Sequence, residues 1–295
     1  MRVVANDIGI EIDDQGPPAG EPLLLIMGLG MQLTAWPEEL VRMLVSSGFR
    51  VLRMDNRDAG LSQGFDPLGV PNLPWVGLRH ALHLPLTAPY RIADMAADAL
   101  GVLDALGIAR AHVCGASMGG MIAQHLAASH PQRVKSLTLM MTTSGSRRLP
   151  HPALRIKMAL LSRPAGPEPA AVVAYLQNLM RVIGSPAYPP DPQADRQRLE
   201  AMVARAWRPA GTARQIVAVV ADGDRTPLLA RIRAPTRVIH GRDDPLVRVA
   251  AGHDLVARIT GAVADIVPGM GHDLPVPLLP HFAEGIARNA ARAAT

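Results

Sequence analysis

The chain has 295 residues, 48% hydrophobic and 19% charged, which suits one large domain or a core with an insertion and excludes a disordered chain. Its formal net charge is +5, yet Lys135 and Lys157 are the only lysines, the arginines are scattered and aromatics make up 3%. Neither a basic tract nor a base-stacking platform results, so no nucleic-acid partner is expected.

No apolar run reaches the roughly 18 residues of a membrane span. The start, "MRVVANDIGIEIDD", lacks the apolar segment of a secretory leader. A cytoplasmic protein without membrane association is expected. The single Cys114 excludes an internal disulfide and a CxxC-type metal site, and its apolar neighbours mark it as a buried small residue.

Ile8, Ile10 and Ile12 alternate as in a half-buried strand. "LLLIM" (23–27) follows the turn "GPPAGEP" and reads as a strand buried on both faces. "TAWPEELVRMLVSSG" predicts a helix with Pro37 in its first turn and Gly48 at its end. "FRVLRMD" is the next strand. A Pro/Gly-rich loop is predicted from Asp66 to Pro89, which places His80 and His83 in a loop. "RIADMAADALGVLDALG" (helix), "AHVCG" (strand), "GGMIAQHLAASH" (helix) and "VKSLTLMM" (strand) continue the alternation.

That alternation predicts an α/β fold, a mostly parallel sheet with helices on both faces. It breaks after Met141. Helical fragments and Pro-rich joints fill the stretch to Ala230. "PTRVIHG" then restores a strand, followed by a helix, the strand "AVADIV" and a terminal helix. The expected division is a core from 1–143 and 232–295, with a helical insertion at 144–231.

Gly115-Ala-Ser-Met-Gly119 is a G-x-S-x-G sequence between a strand and a helix. In such an elbow the serine takes a strained backbone that lifts its hydroxyl out of the sheet's carboxyl edge. Gly120 keeps the surface small. The helix start beyond it suits a developing oxyanion. Ser117 is therefore the candidate nucleophile.

A serine needs a base, and the base an orienting carboxylate, in the order Ser, Asp/Glu, His. Of ten histidines, His272 in "VPGMGHDLP" is the one on a loop after the last predicted strand. "VIHGRDDPL" offers Asp243 and Asp244 after the penultimate strand. Asp244, beside Pro245, is the better placed, with Asp243 as a solvated loop charge.

The oxyanion donors are expected at the backbone N–H of Met118 and of Leu29, the latter in "IMGLGMQ" between Gly28 and Gly30. The rival reading of "GLG" as a phosphate turn fails for want of a third glycine and a following lysine. "MDNRDAGLS" (54–62) reads as a hydrogen-bonded brace.

"MGLG", "DNRDAGLS", "GASMGG", "HGRDDP" and "GMGHDLP" together resemble the α/β-hydrolase superfamily over residues 21–143 and 232–291. The resemblance implies Ser117, Asp244 and His272 as nucleophile, acid and base, Leu29 and Met118 as the oxyanion hole, and the insertion as a helical cap. Met27-Gly28 replaces a frequent His-Gly. The serine sets the chain apart from aspartate-dependent epoxide hydrolases and haloalkane dehalogenases and from cysteine-dependent dienelactone hydrolases. Asp273 stands where carbon–carbon bond hydrolases usually carry Trp. "IMG" and "MGHDLP" look most like the branch with aclacinomycin methylesterase.

The expected activity is a serine carboxylic-ester hydrolase for short to medium acyl or methyl esters, acting as a monomer or homodimer without metal or organic cofactor. Met158, Leu161, Tyr175, Met180 and Trp207 are candidate pocket residues, each with the alternative of packing cap against core. The rivals are another triad hydrolase (a carbon–carbon hydrolase, an amidase or a cofactor-free haloperoxidase/perhydrolase) and a ligand receptor on the same fold.

Overall fold

The computed structural model describes residues 1–293, apart from the side chain of Leu161. Eight strands form one sheet in the order β1 (Arg2–Ala5), β2 (Ile8–Gln15), β4 (Phe49–Met54), β3 (Glu21–Ile26), β5 (Ala111–Ala116), β6 (Val134–Met140), β7 (Thr236–Gly241), β8 (Val263–Val267). β1 and β2 pair antiparallel at one edge, β2 pairs antiparallel with β4, and every other pairing is parallel.

The central strands show why unbroken apolar runs mark the middle of such a sheet. Successive side chains point to opposite faces, and here both faces are covered. On β3, Leu24 and Ile26 enter one core, while Leu23 and Leu25 enter the other. On β5, Ala111 and Val113 join the first, and Cys114 and Ala116 the second. The first core takes apolar residues of α3 (Ile92–Ala105), α4 (Met118–Ser129) and α10 (Ala250–Arg258). The second takes those of α1 (Glu38–Ser46) and α11 (Leu279–Ala291).

Two elements depart from the sequence reading. β1 is a four-residue edge strand held by a tight turn in which Asn6 and Asp7 both have positive φ. The segment predicted as loop contains α2 (Leu73–Ala81), so His80 lies on a helix. Asn72 caps α2 by accepting the Trp75 N–H at 3.0 Å. No residue of α2 is buried; Pro71, Pro74 and Gly77, in and beside it, are what made the stretch read as a loop.

Between β6 and β7 the described residues hold five helices and no strand: α5 (Leu154–Leu161), α6 (Pro169–Ile183), α7 (Pro192–Arg205), α8 (Pro209–Asp222) and α9 (Thr226–Leu229). α6 and α7 share a small core of Val172, Val173, Leu176, Leu199 and Met202. α8 lies against the turn after β4, where a Cβ on Gly211 would come within 2.2 Å of the Asp58 carbonyl oxygen. Among the described residues no helix is long and apolar enough to cross a membrane.

Candidate active site

β5 ends at Ala116, and α4 begins at Met118. Ser117 between them has φ 53° and ψ −119°, a costly backbone for a residue with a Cβ. Close packing holds it there. Ser117 N–H donates to the Met140 carbonyl at 2.9 Å, and Thr142 Oγ1 donates to the Ser117 carbonyl at 2.7 Å.

The glycines around the serine are spacers. A Cβ on Gly119 would stand 2.0 Å from the Ile26 carbonyl oxygen, and one on Gly115 would stand 2.3 Å from the Gly119 carbonyl oxygen. Gly119→Ala is accordingly expected to destabilise the fold by about 1–3 kcal/mol, since backbone and not a flexible side chain must move. Urea unfolding checks this; a midpoint equal to that of the parent would mean that α4 is not seated on β3 so tightly.

The elbow meets the loops that follow β7 and β8 at the same edge of the sheet. His272 Nε2 lies 3.0 Å from Ser117 Oγ, and its Nδ1 lies 2.7 Å from Asp244 Oδ2. Asp244 and His272 are buried, Ser117 half-buried. The other oxygen of Asp244, Oδ1, accepts the Leu246 and Val247 N–H groups at 2.9 and 2.7 Å, which fixes the carboxylate after the Asp-Pro turn. Asp243 is exposed and accepts the Gly269 N–H at 2.8 Å, bracing the loop that carries His272. His240 sits beside Asp244, its Nε2 donating to the Val247 carbonyl at 2.8 Å; burial lowers its pKa.

Met118 N–H opens α4, where a helix offers no acceptor of its own. The loop after β3 approaches closely: a Cβ on Gly28 would be 3.0 Å from the Ser117 Cβ and 3.6 Å from its Oγ. In that loop Gly30 N–H is taken by Gln215 Oε1 of α8 at 2.7 Å, and Met31 N–H by the Gly28 carbonyl at 3.2 Å. The N–H groups of the two residues after Leu29 are thus committed within the protein.

The "DNRDAGLS" turn supports this loop from below. Asp55 accepts the Leu33 N–H at 2.6 Å and the Leu61 N–H at 2.9 Å, and pairs with Arg205 at 2.8 Å. Asn56 donates to the Met27 carbonyl at 2.8 Å. Gln32 donates to the Met202 and Ala206 carbonyls, both at 2.7 Å, and so ties the same loop to the end of α7. Sequence reasoning missed Gln32 and Gln215 because their partners lie more than 150 residues away.

The candidate pocket residues fall in different places. Tyr175 and Trp207 are half-buried and pack with Met31 on the α6–α7 core. Met180 is half-buried on α6, and Met158 is 63% exposed on α5. The side chain of Leu161 lies outside the described residues.

Asp273, next to His272, is half-buried. Burial pushes its carboxyl above the usual range, against the hydrogen bonding from Ser185 and the pull of His272, while nearby Asp244 adds to the rise.

Comparison with known proteins bears on this arrangement. The family model described as "alpha/beta hydrolase fold" matches residues 21–275. The rhodomycin D methylesterase DauP of Streptomyces sp. (strain C5) is 31% identical, over 99% of this chain and 98% of its own length. A 2-hydroxy-6-oxononadienedioate/2-hydroxy-6-oxononatrienedioate hydrolase of Cupriavidus pinatubonensis is 32% identical, over 90% of this chain and 85% of its own. Among solved structures, the meta-cleavage product hydrolase CumD of Pseudomonas fluorescens IP01 superposes with a TM-score of 0.76 at 18% identity, covering 99% of this chain and 98% of its own. A sheet of this order, a serine in the turn after its fifth strand and a family match across most of the chain lead to one conclusion: the chain belongs to the alpha/beta hydrolase family.

Proposed function

We propose that this protein is a serine carboxylesterase acting on methyl or short to medium acyl esters through an acyl-enzyme. The observation that carries the reading is the continuous path from Ser117 Oγ through His272 to Asp244, with separations of 3.0 and 2.7 Å. The methylesterase DauP, alike over nearly the whole of both chains, supports a carboxylesterase-type hydrolase, as does the likeness of "IMG" and "MGHDLP" to the aclacinomycin methylesterase branch.

His272 Nε2 takes the proton of Ser117 as Oγ attacks the ester carbonyl. The oxyanion that forms faces the Met118 and Leu29 N–H groups. Each such donor is worth about 3 kcal/mol or more in a transition state, where charge develops away from water. Asp244 holds the imidazole with its proton on Nδ1 and stabilises the imidazolium. His272 then protonates the departing alcohol. A water, deprotonated by the same imidazole, releases the acid. Side chains and water complete this chemistry without a metal or organic cofactor, in a monomer or a homodimer. The insertion supplies the substrate wall, with Tyr175 and Trp207 as its aromatic part and Met158, Leu161 and Met180 as candidates along α5 and α6.

A second reading is hydrolysis of a carbon–carbon bond, favoured by the 32% identity to the Cupriavidus hydrolase. Asp273 in place of the usual Trp after the base speaks for the ester.

The test measures p-nitrophenyl butyrate and methyl-ester turnover together with intact mass after an organophosphonate probe. Sustained turnover and one adduct, mapped to Ser117, are expected. Consumption of a vinylogous diketone far faster than of any ester would favour the second reading, and an adduct without turnover a receptor. Absence of any adduct would overturn the serine mechanism.

A further inference from the structure

The loop carrying His272 is fastened to the helical insertion as well as to the sheet. His272 N–H donates to the Ile183 carbonyl at 2.8 Å, and Ala187 N–H to the Gly269 carbonyl at 3.2 Å. Tyr188 OH donates to the Pro268 carbonyl at 3.3 Å. The two backbones touch: a Cβ on Gly271 would stand 2.3 Å from the Gly184 carbonyl oxygen, and one on Gly269 would stand 2.4 Å from the Ala187 Cβ. "GMG" before the base therefore reads as a docking surface for the end of α6.

At the centre of this junction is Ser185, which is buried. Its Oγ accepts the Gly271 N–H at 2.8 Å and donates to Asp273 Oδ1. One hydroxyl thus holds the residues immediately before and after His272.

We propose that Ser185 is a positioning residue for the catalytic base: contributed by the insertion, it clamps Gly271 and Asp273 and so sets the direction in which the imidazole of His272 points. The proposal rests on the Ser117–His272–Asp244 reading. An imidazole is aimed by the backbone at its own Cα, and that backbone is defined by its two neighbours. Without the Ser185 hydroxyl, the Gly271 N–H and the half-buried Asp273 carboxyl lose their shared partner, and the loop relaxes to recover bonds elsewhere. A displacement of about 1 Å in a catalytic group costs on the order of a hundredfold in rate. Substrate binding, which this hydroxyl does not serve, is left alone. The insertion is then part of the base's support as well as a cover.

The experiment compares Ser185→Ala, Asp273→Ala, Asp273→Asn, their Ala/Ala double variant and Tyr188→Phe. Each is assayed for kcat, KM, the rate of phosphonate labelling and melting temperature. Ser185→Ala is expected to lower kcat and the labelling rate about 10- to 100-fold with KM within about threefold. Asp273→Ala should do the same, and the double variant no more, because the two act as one unit. Asp273→Asn, which still offers an oxygen to Ser185, should keep kcat within a few-fold. Tyr188→Phe removes a bond of the same junction that does not touch the base's neighbours, and should leave kcat unchanged.

Wild-type rates in Ser185→Ala, multiplied losses in the double variant, or an equal loss in Tyr188→Phe would each overturn the proposal. Wild-type protein and Ser117→Ala are read first: labelling absent from both defeats the hydrolase mechanism itself, whereas labelling at Ser117 that is indifferent to Ser185 defeats only the clamp.

Discussion

Ser117→Ala is expected to lower kcat on p-nitrophenyl butyrate about a millionfold, His272→Ala by about the same, and the two together no further. Groups that act in one step lose the step together, so their separate costs do not multiply. Asp244→Asn should cost about 10⁴-fold, and the reason is visible in the acid's surroundings. Asp244 Oδ1 receives two backbone N–H groups at 2.9 and 2.7 Å, while Oδ2 receives His272 Nδ1. An asparagine must keep its oxygen towards the two backbone donors. Its NH2 then faces His272 Nδ1, and the imidazole has to carry its proton on Nε2, towards Ser117. In that tautomer it cannot accept the serine proton. Rates of the variants, measured beside circular dichroism to show an intact fold, check this. A residual rate above about a thousandth of wild type in Ser117→Ala would remove the serine from the mechanism.

The difference between what the sequence discloses and what it hides follows the range of the interaction. The elbow is legible because its sequence mark is local, a strand of small and apolar residues, a serine and flanking glycines, even though those glycines make room for the distant Ile26 and Thr142. His272 and Asp244 are legible through order along the chain, since the ends of successive parallel strands line one edge of the sheet. The choice of Asp244 over Asp243 rests on the turn at Pro245; in the structure Asp244 Oδ2 lies 2.7 Å from His272 Nδ1, and Asp243 braces Gly269.

What stays hidden depends on partners chosen by tertiary packing. Ser185 lies in "GSPAYPP", which reads as a Pro-rich joint and gives no sign of a hydroxyl set against residues 271 and 273. α2 carries Leu73, Trp75, Val76 and Leu78 but also Pro74 and Gly77, and those breakers masked a helix that buries nothing. Tyr175 and Trp207 sit on the small core of α6 and α7, where an aromatic that packs and one that touches substrate have the same sequence signature. Arg214 and Gln215 did leave a trace. They occupy an otherwise apolar helical stretch, "RQIVAVV", and α8 buries both together with Val217 and Ala218. Polar residues on a buried face must have partners. Those partners are the turn after β4 and the Leu29 loop.

Asp58→Ala is expected to cost about 3–5 kcal/mol of folding stability. Arg214 and Asp58 are both buried, with side chains 1% and 0% exposed. Arg214 Nε and one terminal nitrogen donate to the two oxygens of Asp58 at 2.7 Å each, and Tyr90 OH and the Phe65 N–H complete the carboxylate at 2.8 Å. Burial works against this carboxylate. Its bonds to Arg214, Phe65 and Tyr90 prevail and hold its pKa below the usual value. Removing Asp58 leaves a guanidinium in the interior with Asp66, itself 77% exposed, as its remaining anion. Asp58→Ala combined with Arg214→Met takes both charges away, and should recover much of the loss, because desolvation of each ion offsets much of their attraction. Urea unfolding of the two single variants and the double variant measures the coupling. Simple addition of the two losses would show that the ions do not act as a pair. The acid limb gives a second reading. A depressed native pKa confers stability that is complete above the unfolded value of about 3.9 and is lost as the pH falls through the lower, native one. The double variant should therefore lose less stability than wild type over that acidic interval. Because α8 also carries Gln215, which holds the Gly30 N–H, the Asp58 pair joins the stability of the insertion to the shape of the Leu29 loop. Unfolding that begins at this pair should abolish turnover at the same urea concentration at which α8 is lost.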